Sequence, residues 1–382
     1  MFLEMIVPGE IHKPLMSMEH VLSNLWSLYS NIHGWKNFRK KWIIGKRFES
    51  FCVEIVSDGP NPRFFIRIDR AHIDTTKTAF YSQYPEIELR EVREDYLREV
   101  SWNMPDRHWN LYGMDQKLCN DDCYPIKTYT QFFEMKPENL KDEKRIDPIN
   151  SLLESFSNLK PEEKIWVQIR LMPATKNETD FLARGKKLIN KLVHRKEEAN
   201  DSMAIKTLNA VGDLVSVSSS KEEKKKDEKK ELIPPEMKLT PREREIVELV
   251  ERKMSKNIFL TNIRGLYLCN GKNFDPGRKA LIESYFSSFS LPDQNEFGKM
   301  RETKTKILHF IIKRRLNLRK RKIFRRYVMR ETPFHPLGGG TFVLNTEELA
   351  TIIHPPVELG KTGMKASAAE IKRAAAPKNL PM

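Results

Sequence analysis

A chain of 382 residues is too long for one ordinary hydrophobic core, and with 39% hydrophobic and 31% charged residues it reads as two compact modules joined by solvated stretches. Its four cysteines, Cys52, Cys119, Cys123 and Cys269, make no disulfide framework and point to a reducing cytoplasm. The N-terminal Met1-Phe-Leu-Glu-Met-Ile-Val-Pro-Gly9 lacks the basic region and long apolar core of a signal peptide, and no stretch approaches the ~20 apolar residues of a membrane span.

In chain order, Glu4 to Pro8 predicts a short strand, followed by a helix capped by Ser17 with Val21, Leu22, Leu25, Trp26 and Leu28 at helical spacing. Phe48 to Val56 and Arg63 to Asp69 read as two strands of a hairpin, joined by the turn-rich Asp58-Gly-Pro-Asn-Pro62. A helix is expected from His72 to Tyr84, stopped by Pro85, and then a strand from Glu86 to Arg90. The order β-α-β-β-α-β predicts a ferredoxin-like module over residues 1–100, an antiparallel sheet with two helices on one face.

Residues 101–146 form an aromatic and turn-rich connection, in which Trp109 to Gly113 and Gln116 to Leu118 suggest short added strands. A second α+β module is expected over 147–199 and 236–300. It opens with a helix capped by Asp147-Pro148, then a strand from Lys164 to Leu171 and a basic helix from Phe181 to about Glu198. It resumes at Thr240-Pro-Arg-Glu243, a capping box with proline at the first helical position, followed by a strand from Ile258 to Cys269 and a helix opened by Asp275-Pro276. Between these halves, 200–235 has almost nothing to bury and predicts a disordered insertion. Residues 301–330 predict a basic helix, and 331–382 a short helix and flexible tail.

The net charge of +15 belongs largely to that basic helix. From Arg301 to Arg330, thirteen lysines and arginines face one acid, Glu302. The cations Lys313, Arg314, Arg315, Arg319, Lys320, Arg321, Lys322, Arg325 and Arg326 are expected on solvent faces, around an apolar spine of Leu308, Ile312, Leu316, Ile323 and Tyr327. Such a helix can meet DNA phosphates, the anionic inner face of a membrane, or an acidic groove on a partner protein. Its spine residues Leu308, Ile312 and Leu316 are the candidate docking face for a protein.

Motifs for chemistry are weak. Gly360-Lys-Thr362 resembles the end of a phosphate-binding loop, but Pro355 stands where the pattern requires glycine. Cys119 and Cys123 lack a second pair of zinc ligands, and the nine histidines form no His-x-x-x-His pair. Arg63-Phe-Phe-Ile-Arg67 occupies the strand on which RNA-recognition folds place base-stacking aromatics, but without the glycine of that signature. The expectation is a non-enzyme without cofactor or metal.

Seven segments, in order, carry a resemblance: Met5-Ile-Val-Pro-Gly-Glu10, Glu54-Ile-Val-Ser57, Tyr81 to Glu88, Tyr124 to Tyr129, Arg145-Ile-Asp-Pro-Ile149, Leu159 to Ile169, and Phe342-Val-Leu-Asn-Thr-Glu-Glu-Leu-Ala350. Together they resemble a bacterial domain family that precedes, in the same polypeptide or a neighbouring one, a P-loop ATPase of the type IV secretion and conjugative coupling class. The resemblance implies that Asn345, Thr346, Glu347, Glu348 and Leu349 lie at the mouth of such a motor as docking residues. Because the sequence stops at Met382, where the motor would start, the expectation is a motor-less cytoplasmic accessory subunit, peripheral to the inner membrane, that binds a separately encoded translocation ATPase and is compatible with an oligomer. The alternative is a stand-alone, sequence-independent nucleic-acid-binding protein.

Overall fold

The computed structural model describes residues 1–8, 11, 13–29, 50–132, 147–177, 179–193, 239–270, 273–308, 310–331 and 340–356. The described chain is mixed α+β, built on one antiparallel sheet of nine strands: β1 (Phe2–Ile6), β2 (Phe51–Asp58), β3 (Asn61–Arg67), β4 (Glu88–Val92), β5 (Trp109–Leu118), β6 (Glu163–Ala174), β7 (Ile258–Asn270), β8 (Phe297–Lys299) and β9 (Phe342–Asn345). Their order is β4-β1-β3-β2-β6-β7-β5-β8, with β9 pairing the start of β7. The strands expected in the N-terminal module and those expected in the second module therefore share one sheet. They meet where β2 pairs β6 from Phe51↔Leu171 to Val56↔Trp166.

The helices are α1 (Met16–Trp26), α2 (Ile73–Tyr81), α3 (Asn150–Ser157), α4 (Phe181–Leu192), α5 (Pro241–Ser255), α6 (Lys279–Ser287), α7 (Ile312–Met329) and α8 (Thr346–Ile353). Strand alternation sorts side chains to two faces. Val53, Ile55, Val167, Ile169, Ile263 and Tyr267 point to a core shared with α1, α2, α3, α6 and α8. Their neighbours Val56, Trp166, Leu266 and Leu268 point to the opposite face, where Ile323, Phe324 and Tyr327 of α7 cover them together with Tyr96, Leu97 and Val100. A third cluster joins α4 and α5 to Ile258 and Val343.

Local chemistry explains several boundaries. Gly59 has φ +58 in the two-residue turn between the paired Asp58 and Asn61, a conformation open to glycine, and so closes the β2–β3 hairpin tightly. Thr240 and Glu243 form the expected reciprocal capping box, with Pro241 at the first position of α5. Other expectations are corrected. Ser17 lies buried inside α1, whose N-cap is Leu15 without a side-chain cap. Asp147 stands three residues before α3, where its carboxylate accepts from the Ile149 N–H and pairs with His354 at 2.6 Å. Trp109 to Leu118 is one continuous strand, because β7 and β8 offer it partners that local pattern does not announce. The expected insertion at 200–235 and Gly360-Lys-Thr362 lie outside the described residues.

Candidate nucleic-acid interface

Helix α7 has no acidic residue, and its first turn carries Lys313, Arg314 and Arg315, which oppose the positive end of the helix dipole. Its position thus depends on tertiary contacts. Ile323, Phe324 and Tyr327 are buried against the sheet, with Tyr327 stacked on Trp166 at 5.5 Å between ring centroids. The helix ends with Arg330 in the left-handed region at φ 54, and the Glu331 N–H reaches back to the Arg326 carbonyl at 2.9 Å, closing the last turn.

Beneath α7, four in-register residues form a polar row across the central strands: Glu54 on β2, Gln168 on β6, Arg264 on β7 and Asp115 on β5. All four are buried. Gln168 donates to Glu54 Oε1 at 2.8 Å, Arg264 donates to Gln168 Oε1 at 3.2 Å, and Arg264 Nε donates to Asp115 Oδ1 at 2.7 Å. The helix joins this row at three points. Arg330 grips Glu54, Arg326 reaches Asp115 at 3.3 Å, and the Gln168 amide donates to the Tyr327 carbonyl at 3.1 Å. The Tyr96 hydroxyl donates to Glu54 Oε2 at 2.9 Å, so the 2.6 Å contact between Tyr96 and Tyr327 has Tyr327 as its donor. Burial, reinforced by the Glu54 charge, raises both phenols well above their ordinary 10, and both remain protonated.

The expected solvent faces are divided by this anchoring. Lys313, Arg314, Arg315, Arg321, Lys322 and Arg325 are exposed. Lys320 is buried, contrary to the sequence expectation, donating to Asn110 Oδ1 at 2.6 Å above the Phe274 ring, and burial lowers its pKa to about 8. Arg319 is half-buried and donates to the Lys304 and Lys306 carbonyls, while Arg326 is held by Asp115. The expected spine is divided too. Ile323 and Tyr327 are buried and Leu316 is half-buried, whereas Ile312 and Leu308 are exposed, Leu308 lying ahead of the helix.

Asn345, Thr346, Glu347, Glu348 and Leu349 are all buried within the chain, which corrects their assignment as an open docking surface. Asn345 and Glu348 cap α8 reciprocally. Glu348 pairs with the buried Lys253 at 3.0 Å, and burial raises its carboxyl pKa against the opposing pull of Lys253 and the Asn345 and Ile126 N–H groups. Glu347 pairs with Arg252 and Lys256 and accepts from Thr128. Phe64, Phe65 and Ile66 are likewise buried, Phe65 against Phe2 and Tyr96, so this strand presents no aromatics for base stacking.

Asp121, Asp122 and Cys123 place their ligand atoms within 4.8 Å of one another. Arg184 bridges both carboxylates, the Cys123 and Val343 N–H groups occupy further lone pairs, and burial raises the Cys123 thiol to about 12. That chemistry fits a structural turn. Cys119 is exposed on the preceding turn.

A family model described as "Domain of unknown function (DUF8128)" matches residues 69–366. The chain belongs to the DUF8128 family. The DUF8128 match takes in α7 and three members of the polar row, Asp115, Gln168 and Arg264, with Glu54 preceding it. No curated protein matches the chain. The sequence does not single the row out, because Gln116, Arg170 and Asn262 also interrupt these strands, and only the register shows that the four are neighbours.

Proposed function

We propose that this chain is a non-catalytic accessory module of a DNA-translocating ATPase of the type IV secretion or conjugation class, and that α7 lays its outer cationic face along the DNA backbone. The observation that carries the reading is the asymmetry of α7. Its inner side is fixed to the sheet by buried aromatic and ionic contacts, which leaves Arg314, Arg321, Lys322 and Arg325 exposed on a rigid support. Rigid cations lose less conformational freedom on meeting phosphate than cations on a mobile tail. The resemblance to domains that precede coupling ATPases supplies the motor, joined in one polypeptide or encoded apart, and a cytoplasmic setting.

The fold reading that accompanies this is a pair of ferredoxin-like units joined edge to edge. The order β4-β1-β3-β2 supports it for the first unit, and β8-β5-β7-β6 repeats the same pattern in the second, with α3 and α6 in the places of α1 and α2. Affinity purification from the native cell after nuclease treatment tests the function. Recovery of a P-loop ATPase supports the accessory role, and recovery of nucleic acid alone from untreated lysate supports the stand-alone reading.

A further inference from the structure

Among the described residues, the large hydrophobic side chains left in water are concentrated at the start of α7. Phe310 is 84% exposed, Ile311 72%, Leu308 66% and Ile312 46%, and Leu318 follows on the helix at 57%. Contiguous exposed side chains of this size mark a contact surface. Phe310 and Ile311 both have positive φ, 51 and 42, a region that bulky and β-branched residues seldom adopt, and the resulting turn ends in the exposed apolar tip.

We infer that this tip is a wedge that inserts into the interface of an anionic lipid bilayer. The charge around it identifies the occupant. Lys306, Lys313 and Arg314 border the apolar residues and are exposed, and no Asp or Glu occurs between Glu302 and Glu331. Aliphatic and aromatic groups flanked by cations match the acyl boundary and phosphate headgroups of such a surface, into which apolar side chains penetrate roughly 5–10 Å. DNA phosphates would engage the cations but leave Phe310 and Ile311 in water. No helix among the described residues is long and apolar enough to cross a membrane, so the contact is one of lying on the surface.

The apolar residues of the wedge are not part of the DNA face, although Lys313 and Arg314 border both, so substitutions confined to the apolar residues separate the two readings. Full-length protein should co-sediment with vesicles of phosphatidylcholine containing phosphatidylglycerol and not with phosphatidylcholine alone. Replacing Leu308, Phe310, Ile311 and Ile312 together with serine should weaken vesicle binding by more than about tenfold, while retention of a DNA duplex, measured in parallel, is unchanged. A Phe310→Trp variant should show a blue-shifted emission on anionic vesicles relative to the wild-type protein. Absence of wild-type binding to anionic vesicles at low salt, equal binding by the four-serine variant, or an unshifted Phe310→Trp emission would each overturn the wedge.

Discussion

Arg330 binds both oxygens of Glu54, Nε to Oε1 at 2.7 Å and Nη2 to Oε2 at 3.1 Å, and so ties the end of α7 to the middle of β2. Burial alone would lower the guanidinium pKa, and the Glu54 carboxylate more than offsets this and raises it. The contact is bidentate and fully desolvated on the Glu54 side. Arg330→Met would leave a buried carboxylate with only Tyr96 and Gln168 as donors, and the expected loss of stability is about 3–5 kcal/mol in urea unfolding. The Glu54→Gln/Arg330→Met pair should recover a large part of that loss, because it removes the uncompensated charge. Equal instability of the single and double variants would show that the uncompensated charge is not the cause of the loss, which would then lie in the other contacts of Arg330, with Asp95 and the Phe2 ring.

Lys320 gives a pH dependence whose sign is fixed by its environment. Its folded pKa of about 8 lies below the ordinary 10.5, so the fold disfavours the charged form. Below about pH 8 both folded and unfolded chains carry the proton, and the fold bears the whole cost of the buried charge. Between about pH 8 and 10.5 the unfolded chain binds more protons, and this group's contribution makes stability rise with pH. Lys320→Met should therefore stabilise the protein at pH 7, by at most about 3 kcal/mol, and should reduce that rise. Urea unfolding at pH 7 and pH 10 measures both effects.

Gly113 sets how closely α7 approaches the sheet. A Cβ at this position would lie 2.6 Å from Leu266 Cδ2 and 3.0 Å from Ile323 Cδ1, between a strand residue and a helix residue. Its N–H also donates to Thr305 Oγ1 at 2.8 Å, which fastens the segment leading to the helix. Gly113→Ala should cost about 1–3 kcal/mol through overpacking, and Gly113→Leu should free α7 enough to make its arginines early sites of tryptic cleavage. Unchanged cleavage in the leucine variant would mean that the contact is readily relaxed.

Much of the element order was legible because it is written locally. Short apolar-rich runs marked β2, β3, β6 and β7, and the Thr240–Glu243 box marked the start of α5. What local pattern could not carry was partnership. The Asn345–Glu348 cap is itself a local pair, but that Glu348 is also closed in by Lys253 and the Ile126 N–H depends on residues far away in sequence. The same is true of Lys320, which looks like one more solvated cation until Asn110 and Phe274 are brought beneath it. Strand β9, with four residues, and β8, with three, are too short to show a period and exist because β7 and β5 have edges to fill.

The division of α7 into inner and outer cations makes a sharper test of DNA binding than total charge does. Lys313, Arg314, Arg321, Lys322 and Arg325 are exposed, whereas Arg319, Lys320 and Arg326 are engaged with carbonyls, Asn110 and Asp115. Each phosphate neutralised by an outer cation releases counterions, so contact by all five gives a log–log salt slope of about −4.5. Replacing Arg314, Arg321, Lys322 and Arg325 with glutamine should remove about four contacts and flatten the slope to near −1 without changing stability. Replacing Arg319, Lys320 and Arg326 should instead change the unfolding midpoint and leave the slope of the folded protein near its original value. Affinity should vary little between unrelated duplexes, since phosphate contacts carry no base information. Fluorescence anisotropy with a labelled duplex across a salt series reads all of these quantities, and a slope insensitive to the four outer substitutions would remove α7 as the DNA-binding element.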